Sequence, residues 1–252
     1  MTRPFIMVAP TGARRTKVDH PALPIILPEI LAEAEACHAA GADALHLHVR
    51  DATGAHSLDH GLYMEALLAL QETLPNLRVQ ITTESAGRYD VSAQLACLEA
   101  LVPEWASVSI REIARDPNLA RRLYQGCAER GTVIQHILYD VDDLALLQAW
   151  QDDGIIPHEK TSVIFVLGRY TGQQNGTLRD LDVFLPHLGT DWEWMVCAFG
   201  PNEHLCLEYA AQRGGDLRVG FENSLPLPDG TLHANNAASV THLVQRLEGT
   251  MP

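Results

Sequence analysis

Short apolar runs rich in β-branched residues recur along the chain at a regular pitch. They are "FIMVAP" (5–10), "ALHLHVR" (44–50), "VQITTES" (79–85), "WASVSI" (105–110), "TVIQHILY" (132–139), "TSVIFVLG" (161–168), "EWMVCAFG" (193–200) and "LRVGFEN" (217–223). Each has the length of a buried strand. Between them lie stretches with helical spacing of apolar positions, at 28–41, 61–74, 92–102, 117–131, 141–154 and 202–215. Most of these close at or near glycine, which ends helices by adopting left-handed backbone. Strand, helix, strand at this pitch means parallel pairing. Eight such units in 252 residues predict an α/β fold, a TIM (β/α)8 barrel, as a single domain over residues 1–252. The competing architecture is an open doubly wound sheet. No G-x-G-x-x-G follows the first run to anchor a dinucleotide, and "APTGARR" at that place is a glycine-containing loop. One long segment, 167–191, lacks clear periodicity. In a barrel it falls at the rim that carries function.

Charge narrows the partners. Eighteen basic against 32 acidic residues give a net charge of -14, and no basic run supplies a patch for nucleic acid. A coenzyme with phosphates stays open, because a few arginines or helix N-termini hold it. The five cysteines are odd in number and show no C-x-x-C spacing, so neither a disulfide framework nor a thiolate metal knuckle is expected. The opening "MTRPFIMVAPTGARR" does not read as a secretory signal, and no run approaches 18 apolar residues. The expectation is a cytoplasmic protein with no membrane partner.

"HLHVRD" (46–51) carries the first chemistry. Side chains two apart on a strand share a face, so His46 and His48 point together. Two neutral imidazoles at this spacing suit one divalent ion, and Glu222, at the end of the eighth run, is the candidate third ligand. Such a set leaves a position open for substrate, and it suits zinc, iron or manganese. The other reading is two hydrogen-bonded core histidines. Arg218, four residues before Glu222 on the same predicted strand, is either a structural ion pair or a clamp for an anion. Thr82, Thr83 and Glu84 close the third run, where either hydroxyl orients a bound oxygen or caps the next helix. His136, Arg169, Asn202 and His204 are further rim candidates.

Together, "GADALHLHVRDATG", "VQITTES", "IFVLG", "WMVCAFG" and "LRVGFEN" resemble the β-keto acid cleavage enzymes, and "APTGARRTKVDHPALP" resembles their first loop. The resemblance covers essentially the whole chain. It implies a TIM barrel, zinc held by His46, His48 and Glu222, and a homotetramer. It also implies condensation of a β-keto acid with acetyl-CoA, followed by cleavage to acetoacetate and a new acyl-CoA. Arg218 matches the arginine of the family's proton-transfer pair, and Thr82 stands where a well-described member has serine. The catalytic candidates are therefore Arg218, Thr82, Glu84 and Asn223. Arg169, Asn202 and His204 are the candidates for the coenzyme, and Arg14, Thr83 and His136 for the keto acid.

Four positions depart from the family pattern. Asn223 replaces an aspartate, and an amide cannot take a proton as a carboxylate does. Glu84 stands where glycine is usual. Arg14 and Ile137 stand where the member acting on an amino-keto acid has glutamates, which argues for a different substrate and leaves room for one with a second negative charge. A metal-dependent lyase or hydrolase without acetyl-CoA, and a silent metabolite-binding protein, are the alternative functions. The stretch "NAASVTHLVQRLEGTMP" suggests a trimmed closing helix.

Overall fold

A computed structural model describes residues 3–158, 161–169 and 175–250 of the chain. Its eight barrel strands are β1 (Ile6–Val8), β2 (Ala44–Leu47), β5 (Arg78–Thr82), β6 (Trp105–Ser109), β7 (Val133–Leu138), β8 (Ser162–Leu167), β9 (Glu193–Ala198) and β10 (Asp216–Val219). All neighbours pair in parallel, in the closed order β1-β10-β9-β8-β7-β6-β5-β2. The expected TIM barrel is thus the observed one. The crossovers carry helices α1 (Leu27–Ala39), α2 (His60–Thr73), α3 (Val91–Leu101), α4 (Ile110–Ile113), α5 (Pro117–Glu129), α6 (Val141–Asp152), α7 (Leu178–Asp182) and α8 (Glu203–Ala211). A final helix, α9 (Asn236–Thr250), runs 15 residues.

Strand alternation sorts the core into two parts. Leu45, Leu47, Phe165, Val196, Leu217 and Val219 point outward and pack against helix residues such as Ile30, Leu70, Leu98 and Leu243. Met7, Ala44, Trp105, Ile137, Ile164, Met195 and Cys197 fill the interior. Fully burying one such side chain contributes about 1.5–3 kcal/mol. Four of the crossover helices start on an aspartate, with Asp59, Asp90, Asp116 and Asp140 each accepting from a backbone N–H of the first turn.

All eight strands are shorter than their apolar runs, and two of the differences shape the barrel mouth. Beyond Leu47 the chain leaves the barrel, and β3 (Val49–Arg50) pairs antiparallel with β4 (His56–Ser57) in a hairpin of its own. The eighth run stops at Val219, because Gly220 takes φ +138° and turns the chain over β1. A Cβ there would lie 2.6 Å from the Ala9 carbonyl oxygen, so only glycine fits. Of segment 167–191, residues 170–174 lie outside the described residues, and the remainder forms α7 and a short 3-10 turn, Leu185–His187. No described helix is long and apolar enough to cross a membrane.

The stacked pair Phe165 and Phe184, with ring centroids 4.4 Å apart, is fully buried between β8 and the segment after α7. Truncating Phe165→Ala is expected to lower stability by about 3–5 kcal/mol, as measured by urea unfolding.

Candidate active site

His46 sits on β2 and points into the barrel, whereas His48 occupies the break between β2 and β3. Glu222 lies in the turn after β10. The three meet at the C-terminal mouth of the barrel although only His46 is on a barrel strand. Glu222 Oε2 is 3.6 Å from His46 Nε2 and 3.4 Å from His48 Nε2. All three side chains are buried. Gly12, at φ +64°, makes room for the carboxylate, since a Cβ there would come within 2.7 Å of Glu222 Cγ.

The turn that presents Glu222 is held from several sides. Glu222 N–H donates to Ala9 O, Gly220 N–H to Glu203 Oε1 and Phe221 N–H to Asn236 Oδ1. Arg15 donates to the carbonyls of Phe221 and Asn223. Arg50, the arginine of "HLHVRD", donates to the carbonyls of Gly12, Arg15 and Gly54. One buried guanidinium thereby ties the first loop to the hairpin, and the first loop in turn grips the Glu222 turn.

Hydrogen bonds behind the imidazoles set their tautomers. Gln80 Oε1 accepts from His46 Nδ1 at 2.7 Å, while Gln80 Nε2 donates to Gln135 Oε1 at 3.0 Å. His56 Nε2 donates to the Glu84 carbonyl at 2.8 Å, so its neutral ring keeps a bare Nδ1, which faces His48 Nδ1 at 3.5 Å. His48 Nδ1 is then the donor of that pair. In the neutral rings both Nε2 lone pairs point at a carboxylate, an arrangement that like-signed electron density disfavours unless a cation lies between. The buried His48 Nε2 has no hydrogen-bond partner among the described residues. The cluster therefore fits a metal ion.

Above it opens a cavity of about 190 Å³ lined by His46, Glu222, Arg218, Thr82, Glu84 and Arg14, with Ser109, Arg111, Glu112, Ile137, Tyr139, Val166, Arg169 and Phe199 completing the wall. Buried Arg218 donates to Glu222 Oε1 at 3.2 Å and to Cys197 Sγ at 3.3 Å, and its Nε has no partner among the described residues.

A family model described as beta-keto acid cleavage enzyme matches residues 4–250. The chain belongs to this family. It is 27% identical over 253 residues to a 3-keto-5-aminohexanoate cleavage enzyme of Fusobacterium nucleatum, covering 97% of this chain and 91% of the relative. It is 26% identical to a 3-oxoadipate:acetyl-CoA acetyltransferase of Cupriavidus necator, covering 98% and 90%. Among solved structures, a ternary complex of ObcA with C4-CoA adduct and oxalate superposes with TM-score 0.68 at 16% identity. That match covers 91% of this chain and 64% of ObcA, and it bears on the fold.

For a β-keto acid cleavage enzyme, the geometry sorts the sequence candidates. His46, His48, Glu222, Arg218, Thr82, Glu84, Arg14 and Arg169 converge on one mouth. Arg14 does not stand as an isolated positive charge, because its guanidinium is 3.7 Å from Glu84 Oε1. Arg169 rests on Asp140 at 2.9 Å, beside Arg111. Five candidates lie elsewhere. Thr83 turns away and donates to Ser107 O. Asn223 is fully buried off the cavity, its side-chain amide without a hydrogen-bond partner among the described residues. Asn202 stands just before α8 and donates to Gly176 O, and His204 faces Ser239 on α9. His136 has the opposite strand parity to Ile137 and packs outside the barrel on Tyr124, with ring centroids 5.4 Å apart. The sequence reading missed Ser109, Arg111, Tyr139 and His56. Alternation along "WASVSI" would have pointed to Ser109, but nothing local marks His56, which reaches the site only through the hairpin.

Burial dominates the titration of these groups. It holds His46 down at about 3, with Arg218 adding to the effect. It does the same to His56, where His48 is the second cause. Burial alone would raise Glu222, but the Arg218 guanidinium outweighs it and holds the carboxyl below its ordinary range. Glu84 moves the other way, upward, chiefly through burial.

Replacing His56 by Ala removes the acceptor for His48 Nδ1 and is expected to weaken metal binding about 10–100-fold, measurable by competition with a chromogenic chelator. His136, pushed to about 3 by burial alone, binds its proton only in the unfolded chain between about pH 6.5 and 3. Stability therefore falls as pH drops through that window. A His136→Leu variant should show a shallower decline, by up to about 1.4 kcal/mol per pH unit, in urea unfolding at stepped pH.

Proposed function

We propose that the chain is a zinc-dependent β-keto acid:acetyl-CoA acyltransferase that forms acetoacetate and a new acyl-CoA. The observation that carries the reading is the buried His46, His48 and Glu222 cluster beside Arg218 in a member of the β-keto acid cleavage family. The names of two relatives, a keto acid cleavage enzyme and an acetyl-CoA acetyltransferase, support it.

His46, His48 and Glu222 would hold the metal, which supplies a Lewis acid for the keto and carboxylate oxygens of the substrate. Arg218 offers its unpartnered Nε edge to an anionic oxygen in the same mouth. Glu84 is the group best suited to move the proton, since burial raises its pKa toward that of a working base. It takes a proton from C2 of the keto acid. The carbanion attacks the thioester carbonyl of acetyl-CoA and expels coenzyme A as thiolate. That thiolate adds to the original keto carbonyl, the bond from this carbon to C2 breaks, and C2 recovers the proton from Glu84. Atoms balance, with acetoacetate and the new acyl-CoA as products. Thr82 Oγ1, braced by Ser107 Oγ and Glu84 N–H, and the buried Ser109 hydroxyl orient oxygens on the opposite wall.

Around the substrate tail stand Arg14, Arg111, Arg169, Ile137, Val166 and Phe199. This wall disfavours an ammonium group and favours a neutral or anionic tail, so the amino-keto acid is not the proposed substrate. Arg169 is the remaining candidate for the coenzyme phosphates. The protein is proposed to work as a cytoplasmic homotetramer, and light scattering tests its assembly.

The experiment is acetoacetate formation from acetyl-CoA by zinc-loaded protein, across neutral, cationic and dicarboxylic β-keto acids. Turnover of a neutral or dicarboxylic acid is expected, with Arg218→Met reducing kcat by about 10²–10³. Turnover that proceeds without acetyl-CoA would replace this reading with a metal-dependent lyase or hydrolase.

A further inference from the structure

A second cluster of imidazoles lies away from the cavity. His204 on α8, His233 after β10 and His242 on α9 each bring one ring nitrogen within 4.8 Å of the other two. His204 and His233 are buried and His242 is half-buried. Ring centroids are 4.9, 5.1 and 5.9 Å apart. Three imidazoles on one ion at metal–nitrogen distances of about 2.0–2.1 Å place their centroids about 5 Å apart. The His46 and His48 rings, in the cluster at the barrel mouth, are separated by 5.0 Å.

The hydrogen bonding of this trio is incomplete. His204 Nε2 bonds to Ser239 Oγ at 3.0 Å, and its buried Nδ1 has no partner among the described residues. Burying a bare nitrogen is costly, and an apolar side chain would fill the same space without that cost. The buried Glu203 carboxyl approaches His204 Nε2 at 3.9 Å, and burial pushes its pKa well above the ordinary carboxyl range. The cation nearest the cluster, Arg246, is already bound to Glu208.

We propose that His204, His233 and His242 form a second metal site, a structural clamp between α8 and α9 for a borderline divalent transition ion such as zinc or nickel. Imidazole donors exclude magnesium and calcium from such a role. The clamp joins the two helices whose first residues, Glu203 and Asn236, hold the backbone of the Glu222 turn. An ion there braces the ligand-bearing turn from behind.

The test uses untagged full-length protein stripped with chelator, titrated with Zn²⁺ alone and counted by mass spectrometry after gel filtration. A Co²⁺ titration followed by visible absorption accompanies it. His48→Ala should retain one ion per chain and a metal-induced rise in Tm. His242→Gln and, independently, His233→Asn should each bind one ion fewer than the parent protein. If the barrel mouth takes no ion, the parent binds one, and it is lost in His242→Gln but kept in His48→Ala. A folded His242→Gln or His233→Asn protein that binds as many ions as the parent overturns the proposal. So does a His48→Ala protein that binds none.

Discussion

A carboxylate buried between two imidazoles and a guanidinium is the constraint on which the rest of this structure depends. Glu222 cannot sit beneath the surface as an anion unless positive charge compensates its lost hydration. Arg218 supplies part of that charge from β10, at 3.2 Å. His46 cannot supply the rest as a cation, because burial keeps it neutral far below physiological pH. The cluster fits a divalent ion, which would turn two opposed lone pairs and a carboxylate into a coordination set.

Holding that set together takes more than the strands. The Glu222 turn forms because Gly220 adopts a backbone angle that a side chain forbids, and because acceptors from the starts of α8 and α9 meet its N–H groups. The histidine side forms because the chain leaves the barrel after Leu47, so that β4 can bring His56 behind His48. Arg50 links the two halves by gathering carbonyls from the first loop and the hairpin. Rigidity at the mouth is thus a property of loops cross-braced by buried polar groups. The barrel beneath supplies the platform.

Charge at the rim is distributed in pairs. Arg14 meets Glu84, and Arg111 and Arg169 share Asp140, which also caps α6. The mouth is therefore electrostatically graded, with the His46, His48 and Glu222 cluster and Arg218 at its floor and a wall of partly neutralised arginines. A substrate that enters with its carboxylate toward the floor experiences complementary charge along its length.

The barrel was legible in the sequence because parallel strands buried on both faces appear as unbroken apolar runs, and helices stop at glycine. The convergence of His46, His48 and Glu222 was legible for a weaker reason. Alternation predicted that His46 and His48 face together, yet His48 lies beyond the strand and Glu222 lies in a turn. The expectation held because the local geometry of both loops restores the convergence, which periodicity does not encode. What sequence could not place were residues whose roles depend on distant neighbours. His136 fell outside because it alternates with Ile137, which takes the interior face of the same strand. Thr83, Asn202 and His204 turned from the mouth because their partners are carbonyls and a side chain distant in the chain, and Asn223 is buried off the cavity with its amide unpartnered among the described residues. His56 and Arg111 came in because the hairpin and α4 carry them there. Local pattern determines which elements form and which face is apolar. Only closure of the barrel decides which polar side chains share one small volume, because that proximity is set by contacts between segments remote in the chain.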